Sequence, residues 1–279
     1  MKCDMDLSRV LEIASRSDAG RVRSHNEDSI AADAVLGLAV LADGMGGYNA
    51  GEVASGIAVS MMVSGMKAVL AGNDPGEMDA TSGERLGVRM LREQVAAANS
   101  AIFNAARSRK ECEGMGTTLV AALFYDDRVS VAHLGDSRMY RFRDEKLELL
   151  TRDHSLLQEQ LDSGMLTPEQ ARVSQYKNIV TRALGVEEEV DIEIRSFDVL
   201  PEDIYLLCSD GLNDMLENEE IRLAVETLRS NPRLAADQLV DLANENGGRD
   251  NISVILVKVK QGFAIQQGLF SKLMSSFRK

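Results

Sequence analysis

Seven short runs of apolar and β-branched residues punctuate the chain, at 36–42, 117–124, 129–134, 138–142, 192–197, 204–208 and 252–259, each bounded by Gly, Asp or Asn. Runs of that length with such edges predict strands. Asp126 and Asp127 separate the second run from the third, and Gly135, Asp136 and Ser137 separate the third from the fourth. Connections this short join antiparallel neighbours, because a parallel crossover takes a dozen residues or more. Two longer stretches follow a different period. Over 51–70, Val53, Ile57 and Met61 recur every fourth residue with Met62 and Met66 alongside, and over 84–107, Leu91, Val95, Ala98 and Ile102 fall on one helical face. The polar, glycine-containing segment 72–83 between them predicts a surface loop, and further helices are expected at 219–229 and 232–246. Strands and helices come in blocks without strict βαβα alternation. That order predicts an α+β layered domain with antiparallel sheets.

Composition narrows the partners more than the fold. The 279 residues include 44 Asp and Glu against 31 Lys and Arg, a net charge of −13. Such a balance opposes non-specific nucleic-acid binding, which needs surplus cations to neutralise phosphates, and opposes whole-body attachment to anionic membrane. A hydrophobic share of 44% with 27% charged residues is ordinary for a globular protein and excludes disordered and fibrous classes. Cys3, Cys112 and Cys208 supply neither a disulfide framework nor a CxxC motif. Asp4, Asp6 and Glu12 interrupt any signal-peptide apolar region, and no apolar run approaches the ~18 residues of a membrane span. A soluble, cytoplasmic protein without integral membrane association is expected.

Candidate chemistry enters with the positions of aspartate. Asp43 follows the first run and opens Asp43-Gly44-Met45-Gly46-Gly47; Asp136 follows the third in Gly135-Asp136-Ser137; Asp210 follows the sixth in Ser209-Asp210-Gly211; Asp250 precedes the last in Gly247-Gly248-Arg249-Asp250-Asn251. Taken singly, a strand-end Asp-Gly pair is a turn signal. Four of them, joined by Arg23-Ser24-His25-Asn26-Glu27-Asp28, suggest one site, although spacing alone does not establish that they converge. Acids gathered on one rim repel one another and raise their own pKa values, which cations would relieve. Oxygen ligands without His or Cys indicate a hard metal, magnesium or manganese. A calcium loop is opposed by the absence of a D-x-[DN]-x-[DN]-G run with a distal Glu, and a two-metal nuclease by the acidic composition.

The order Arg23-xxx-Glu27-Asp28, Ala42-Asp43-Gly44-Met45-Gly46-Gly47, Gly116-Thr117-Thr118, Gly135-Asp136-Ser137-Arg138, Asp153-His154-Ser155, Thr181-Arg182-Ala183-Leu184-Gly185, Ser209-Asp210-Gly211-Leu212 and Asp250-Asn251 resembles the metal-dependent protein phosphatases of the protein phosphatase 2C type, in a bacterial wording, from about residue 17 to 259. The resemblance implies a four-layer αββα sandwich of two antiparallel sheets flanked by helices. Residues 1–260 would form one catalytic domain with a flap at about 162–186, and 261–279 a basic C-terminal tail. It implies that Asp43 bridges two Mn2+ or Mg2+ ions, with Gly44 offering its carbonyl and Asp210 and Asp250 completing the centre. Asp136 would hold a third ion, Glu27 and Asp28 would orient bound waters, and Arg23 would clamp the substrate phosphate. With Arg23, Asp43, Asp210 and Asp250 as the catalytic set, a metal-activated water attacks phosphorus in line and hydrolyses phosphoserine and phosphothreonine in proteins with no phosphoenzyme. The alternative is a pseudophosphatase that binds phosphoproteins without turnover. A serine/threonine kinase is the expected counterpart, and a monomer the expected state.

Two positions depart from the family pattern. Met45 stands where eukaryotic-type members carry a general-acid His, and Tyr48 stands where some bacterial members carry one. Leaving-group protonation would then fall to a metal-bound water, with His154 and His25 as weaker donors; His154 reads better as a turn residue bonded to backbone. His133, inside an apolar run, reads as a satisfied core histidine. The flap, with Gly164, Pro168, Gln170, Tyr176, Lys177 and Asn178, is expected to help choose substrates or only to shield the metals. In the tail, Leu269, Phe270, Leu273 and Phe277 could line one helical face, for a partner, for an anionic surface or for the domain itself.

Overall fold

Alternation along β3, Leu38–Met45, sets the layering. Leu38, Val40 and Ala42 turn one way into a core shared with helices, while Ala39 and Leu41 turn the other way into a core between two sheets. Successive side chains of a strand point to opposite faces, so a strand buried on both sides reads as one continuous apolar run. The computed structural model describes residues 6–47, 50–167, 170–171 and 179–264. One sheet runs in the order β1 (Leu11–Asp18), β11 (Ile252–Val259), β10 (Ile204–Cys208), β7 (Arg138–Arg143), β8 (Lys146–Leu149). The other runs β2 (Asp28–Asp33), β3, β5 (Leu119–Tyr125), β6 (Arg128–Leu134), β9 (Glu193–Asp198), with the two-residue β4 (Gly116–Thr117) added to β3. The strand pairs in both sheets are antiparallel.

Helices α1 (Ala50–Leu70) and α2 (Leu86–Ser108) cover the outer face of the second sheet through Ala54, Ala58, Met62, Met66, Leu91, Val95 and Ile102. Helices α5 (Asn218–Thr227) and α6 (Pro232–Glu245) cover the first sheet through Ile221, Val225, Ala236, Leu239 and Val240. Three apolar cores between four layers give the αββα sandwich. Two shorter helices, α3 (Leu156–Asp162) and α4 (Asp210–Asn213), sit at strand ends.

The seven expected strands and four expected helices are present, with ends shifted by a few residues. Asp126 and Asp127 both adopt positive φ, 47° and 51°, the primed turn that matches the twist of a hairpin. Four strands were not legible in the pattern, the two-residue β4 among them. β1 carries Arg16 against Asp241 of α6 at 2.8 Å, so its polar residues are partnered, not solvated; β2 is short and half-buried, and β8 is a four-residue edge. The expectation that no apolar run approaches a membrane span needs correction. By length and composition the 21-residue α1 passes as one. Here Ala54, Ala58, Met62 and Met66 are fully buried against β3 and α2, as in the core helix of a layered domain. Tyr48, the flap residues 168–169 and 172–178, and the tail from 265 onward lie outside the described residues.

Candidate metal centre

Four strand ends bring the acids to one rim. In the β2–β3 ladder Asp28 lies directly opposite Asp43, and the Gly44 amide donates to the Glu27 carbonyl at 3.2 Å. The backbone of Asp43 is fixed from the other side: its N–H donates to Thr118 Oγ1 at 3.0 Å, and its carbonyl accepts from Thr118 N at 2.9 Å and Thr117 Oγ1 at 2.8 Å. No side chain fits at Gly44, because a Cβ there would strike the Gly51 carbonyl at the start of α1. Asp210 begins α4 immediately after β10, and a Cβ on Gly211 would strike the Asn251 carbonyl. Asp136 sits between β6 and β7 after Gly135, whose φ of 101° suits only glycine. The loop is tied to the Asp43 loop by Thr118 Oγ1 and Ser137 Oγ, 2.7 Å apart.

The charges of these acids act on one another. Burial first, then Asp28, Asp210, Asp136 and Asp250, push the Asp43 carboxyl well above the ordinary range. Burial, Asp136, Asp214, Asp250 and Asp28 do the same to Asp210. Burial raises Asp28 to about 6 although hydrogen bonds from Ser253 and Ser209 pull it down, and burial with Asp153 raises Asp136 to about 6. Glu27 is raised, chiefly by burial. Two buried oxygens, Asp28 Oδ1 and Asp210 Oδ1, have no hydrogen-bond partner among the described residues. A buried polar atom left unpaired is costly, and here a cation is the group that would satisfy it. Hard oxygen donors without His or Cys fit manganese or magnesium. Asp43, Asp210 and Asp250 could hold such ions, with Asp136 and Asp214 on the flank.

Asp214 was missed by sequence reasoning. It caps α4 one helical turn after Asp210, and the i, i+4 spacing of two acids at a helix start was the signal available. Asn251 enters the sequence pattern only as part of the Asp250-Asn251 motif. Its Oδ1 accepts from Glu27 N at 2.8 Å, and its Nδ2 donates to the carbonyls of Ala19 at 3.0 Å and His25 at 2.9 Å. One side chain thus ties the loop carrying Arg23 to the turn that carries Asp250 into β11. Arg23 itself is half-exposed and places Nη2 on Asp250 Oδ2 at 2.7 Å; its Nε and Nη1 bond no described residue.

The described residues contain one tight three-donor group, and it lies elsewhere. His133, His154 and Glu193 bring donor atoms within 4.8 Å of one another. These groups brace the Asp136 loop: His133 Nε2 donates to the Ser137 carbonyl at 3.0 Å, His154 Nδ1 accepts from Gly135 N at 3.3 Å, and His154 Nε2 meets Glu193 at 3.2 Å. The turn reading of His154 holds. His133 is only half satisfied, since its buried Nδ1 has no partner among the described residues, and burial pushes its pKa down to about 3. His25 contributes its backbone carbonyl to Asn251. Met45 ends β3 and has no proton to give.

The family model described as Protein phosphatase 2C matches residues 18–246. The serine/threonine protein phosphatase PstP of Mycobacterium tuberculosis H37Rv is 41% identical over 253 residues, covering 90% of this chain and 45% of that protein, so the chain spans about half of PstP's length. The serine/threonine phosphatase stp of Listeria monocytogenes EGD-e is 38% identical over 248 residues, 87% of this chain and 94% of that one. The solved catalytic domain of PstP in complex with two manganese ions superposes with a TM-score of 0.78 at 37% identity, over 90% of this chain and 99% of that one.

Proposed function

The chain belongs to the protein phosphatase 2C family, and on that footing we propose that it is a metal-dependent serine/threonine protein phosphatase, hydrolysing phosphoserine and phosphothreonine in proteins without a phosphoenzyme. One observation carries the reading: burial and the charges of acids from separate strand ends raise the pKa values of Asp43 and Asp210, beside two carboxylate oxygens with no partner among the described residues. Asp43, Asp210 and Asp250, with the Gly44 carbonyl, hold two Mn2+ or Mg2+ ions, and Asp136 with Asp214 holds a third. Two manganese ions in the PstP catalytic domain support this choice. When bound, such ions neutralise the carboxylates, stabilise charge on a phosphoryl group and make water a better nucleophile.

The chain's own residues do the rest. Arg23, half-exposed at the rim, presents the free part of its guanidinium fork to two phosphate oxygens, a geometry lysine lacks. Asp250 holds that fork in place through Nη2. Glu27 and Asp28 orient water beside Asp43, and Ser209 Oγ, donating to Asp28 Oδ2 at 2.8 Å, leaves Oδ1 free for that task. Met45 and the buried His154 give the leaving oxygen no proton, which it takes from water.

Retention of every matched acid and of Arg23 favours turnover over a pseudophosphatase. We place the activity in one catalytic domain over 1–260, with 261–279 as a basic tail. The protein acts as a cytoplasmic monomer opposed by a serine/threonine kinase; the absence of any surplus of cations, at net charge −13, supports exclusion of nucleic acid from its partners. The test is hydrolysis of a phosphothreonine peptide with and without manganese, comparing wild type with Asp210→Asn. Wild-type activity that needs the cation, and its loss by roughly 10²-fold or more in the variant, is the expected result. Cation-independent hydrolysis would refute the mechanism, and binding without any hydrolysis would make the chain a pseudophosphatase.

A further inference from the structure

A cavity of about 670 Å³ opens between the C-terminal end of α2, the turn through 109–115, and Gly185 and Val186. Phe103 and Val186 line it with apolar surface, and Arg107, Arg109 and Lys110 line it with charge. Arg107 stands over the Phe103 ring at 5.4 Å. Elsewhere this acidic chain pairs most of its guanidinium groups, as Arg16 with Asp241, Arg85 with Asp126, Arg138 with Asp153, Arg143 with Asp203 and Arg222 with Glu226, although among the described residues Arg9, Arg21, Arg229 and Arg249 also make no ion pair. Among the described residues Arg107, Arg109 and Lys110 make no ion pair, although 44 acids are available in the chain and Glu113 lines the same cavity. Three exposed cations left unpaired around one hollow make a local positive field in a molecule of net charge −13.

The hollow adjoins the metal loop. Met115 leads directly into β4, whose Gly116 and Thr117 pair with Met45 and Gly44. Thr117 Oγ1 donates to the Asp43 carbonyl at 2.8 Å. A Cβ placed on Gly116 would lie 3.0 Å from Val186 Cγ2 and 3.7 Å from Met45 Cγ, so the cavity wall and the metal loop meet across one residue. An extended peptide advances about 3.3 Å per residue, which carries a substrate from the metal loop into the hollow within a few residues.

We infer that this cavity is a specificity subsite for a phosphoprotein segment that carries Asp, Glu or a second phosphate a few residues from the phosphate being hydrolysed. The inference rests on the phosphatase reading. The arginine forks match carboxylate and phosphate oxygens in pairs, and the apolar floor takes the intervening side chain. Exposed ion pairs are individually weak, and three together amount to roughly a 3- to 150-fold preference.

The test compares two phosphothreonine peptides, one flanked by Asp and Glu, the other by Asn and Gln, in the manganese-loaded enzyme. A higher kcat/KM for the acidic peptide, expressed in KM and fading as salt rises above physiological strength, is expected. Arg109→Ala combined with Lys110→Ala should remove most of that preference, and Lys110→Glu should reverse part of it, while hydrolysis of a small aryl phosphate stays at the wild-type rate. Equal KM for both peptides, or a preference that survives in the variants, overturns the subsite. Loss of aryl phosphate hydrolysis in wild type would instead strike the phosphatase reading. Fluorescence anisotropy of the labelled acidic peptide on wild type and the double variant then still decides the subsite, by a weaker Kd in the variant or an unchanged one.

Discussion

Asp28 and Asp43 stand in register across the β2–β3 ladder, so an ordinary antiparallel pair sets two carboxylates against each other at the sheet end. Like charges directly opposite are destabilising, and both groups are held above their ordinary pKa by burial and by neighbouring acids. The fold accepts this conflict at the site of its chemistry.

A consequence is that Asp43→Asn should stabilise the cation-free protein while abolishing turnover. Relief of about 1 kcal/mol raises Tm by roughly 2–4 °C for a chain of this size. Calorimetry in chelator and in manganese checks it: manganese should raise the Tm of wild type and leave that of the variant nearly unmoved. An equal manganese shift in both would remove Asp43 from the ion site.

Stability without cation should also fall with rising pH. The folded-state pKa of Asp28 is raised from 3.8 to about 6, so the folded protein holds its proton where the unfolded chain has released it. Its contribution is present below pH 3.8 and is lost as pH rises to about 6, at about 1.4 kcal/mol per pH unit of separation. Urea midpoints in chelator should show a decline across that window that Asp28→Asn flattens.

His133 works in the opposite sense. Burial holds its imidazole neutral down to about 3 against an ordinary 6.5. The unfolded chain takes up a proton below 6.5 while the folded one does not, so stability is lost as pH falls from 6.5 towards 3. In manganese-loaded protein, His133→Gln should reduce the steepness of that acid decline even where it lowers stability at neutral pH. An unchanged slope would locate the acid sensitivity elsewhere.

Arg23→Ala should raise KM for a phosphopeptide by about 10- to 100-fold, the loss of one charge-assisted pair of hydrogen bonds at roughly 1.5–3 kcal/mol. Arg23→Lys should recover only part, because an ammonium cannot pair two oxygens in a plane. Steady-state kinetics at saturating manganese separates this from weakened metal binding through Asp250. A normal KM in the alanine variant would relieve Arg23 of phosphate recognition.

Thr118→Val preserves shape and removes the hydroxyl that meets both Asp43 N and Ser137 Oγ. A cost of about 1–3 kcal/mol in stability is expected from the donor left unpaired. Manganese titration should also show weaker binding, since the Asp43 and Asp136 loops lose their link. Full affinity at reduced stability would make the link structural only.

Local chemistry wrote much of this protein into its sequence. Runs such as Ile204–Cys208 and Ile252–Val259 are mostly apolar because both faces are buried, and an Asp beside Gly or Asn marks where they start or stop. The oxygen-only donor set already chose a hard cation. β1 and β2 escaped notice because half their residues are polar, and only the partners across the fold, such as Asp241 for Arg16, make them strands. Convergence could not be read along the chain at all. Asp43 and Asp210 are 167 positions apart, and what brings them together is sheet register and the packing of two sheets, which depend on contacts that sequence periodicity does not encode. The same holds for the Asn251 tie and for the unpaired cations beside Met115. Period and turn chemistry are properties of neighbours in sequence; a site assembled from four strand ends is a property of the closed fold.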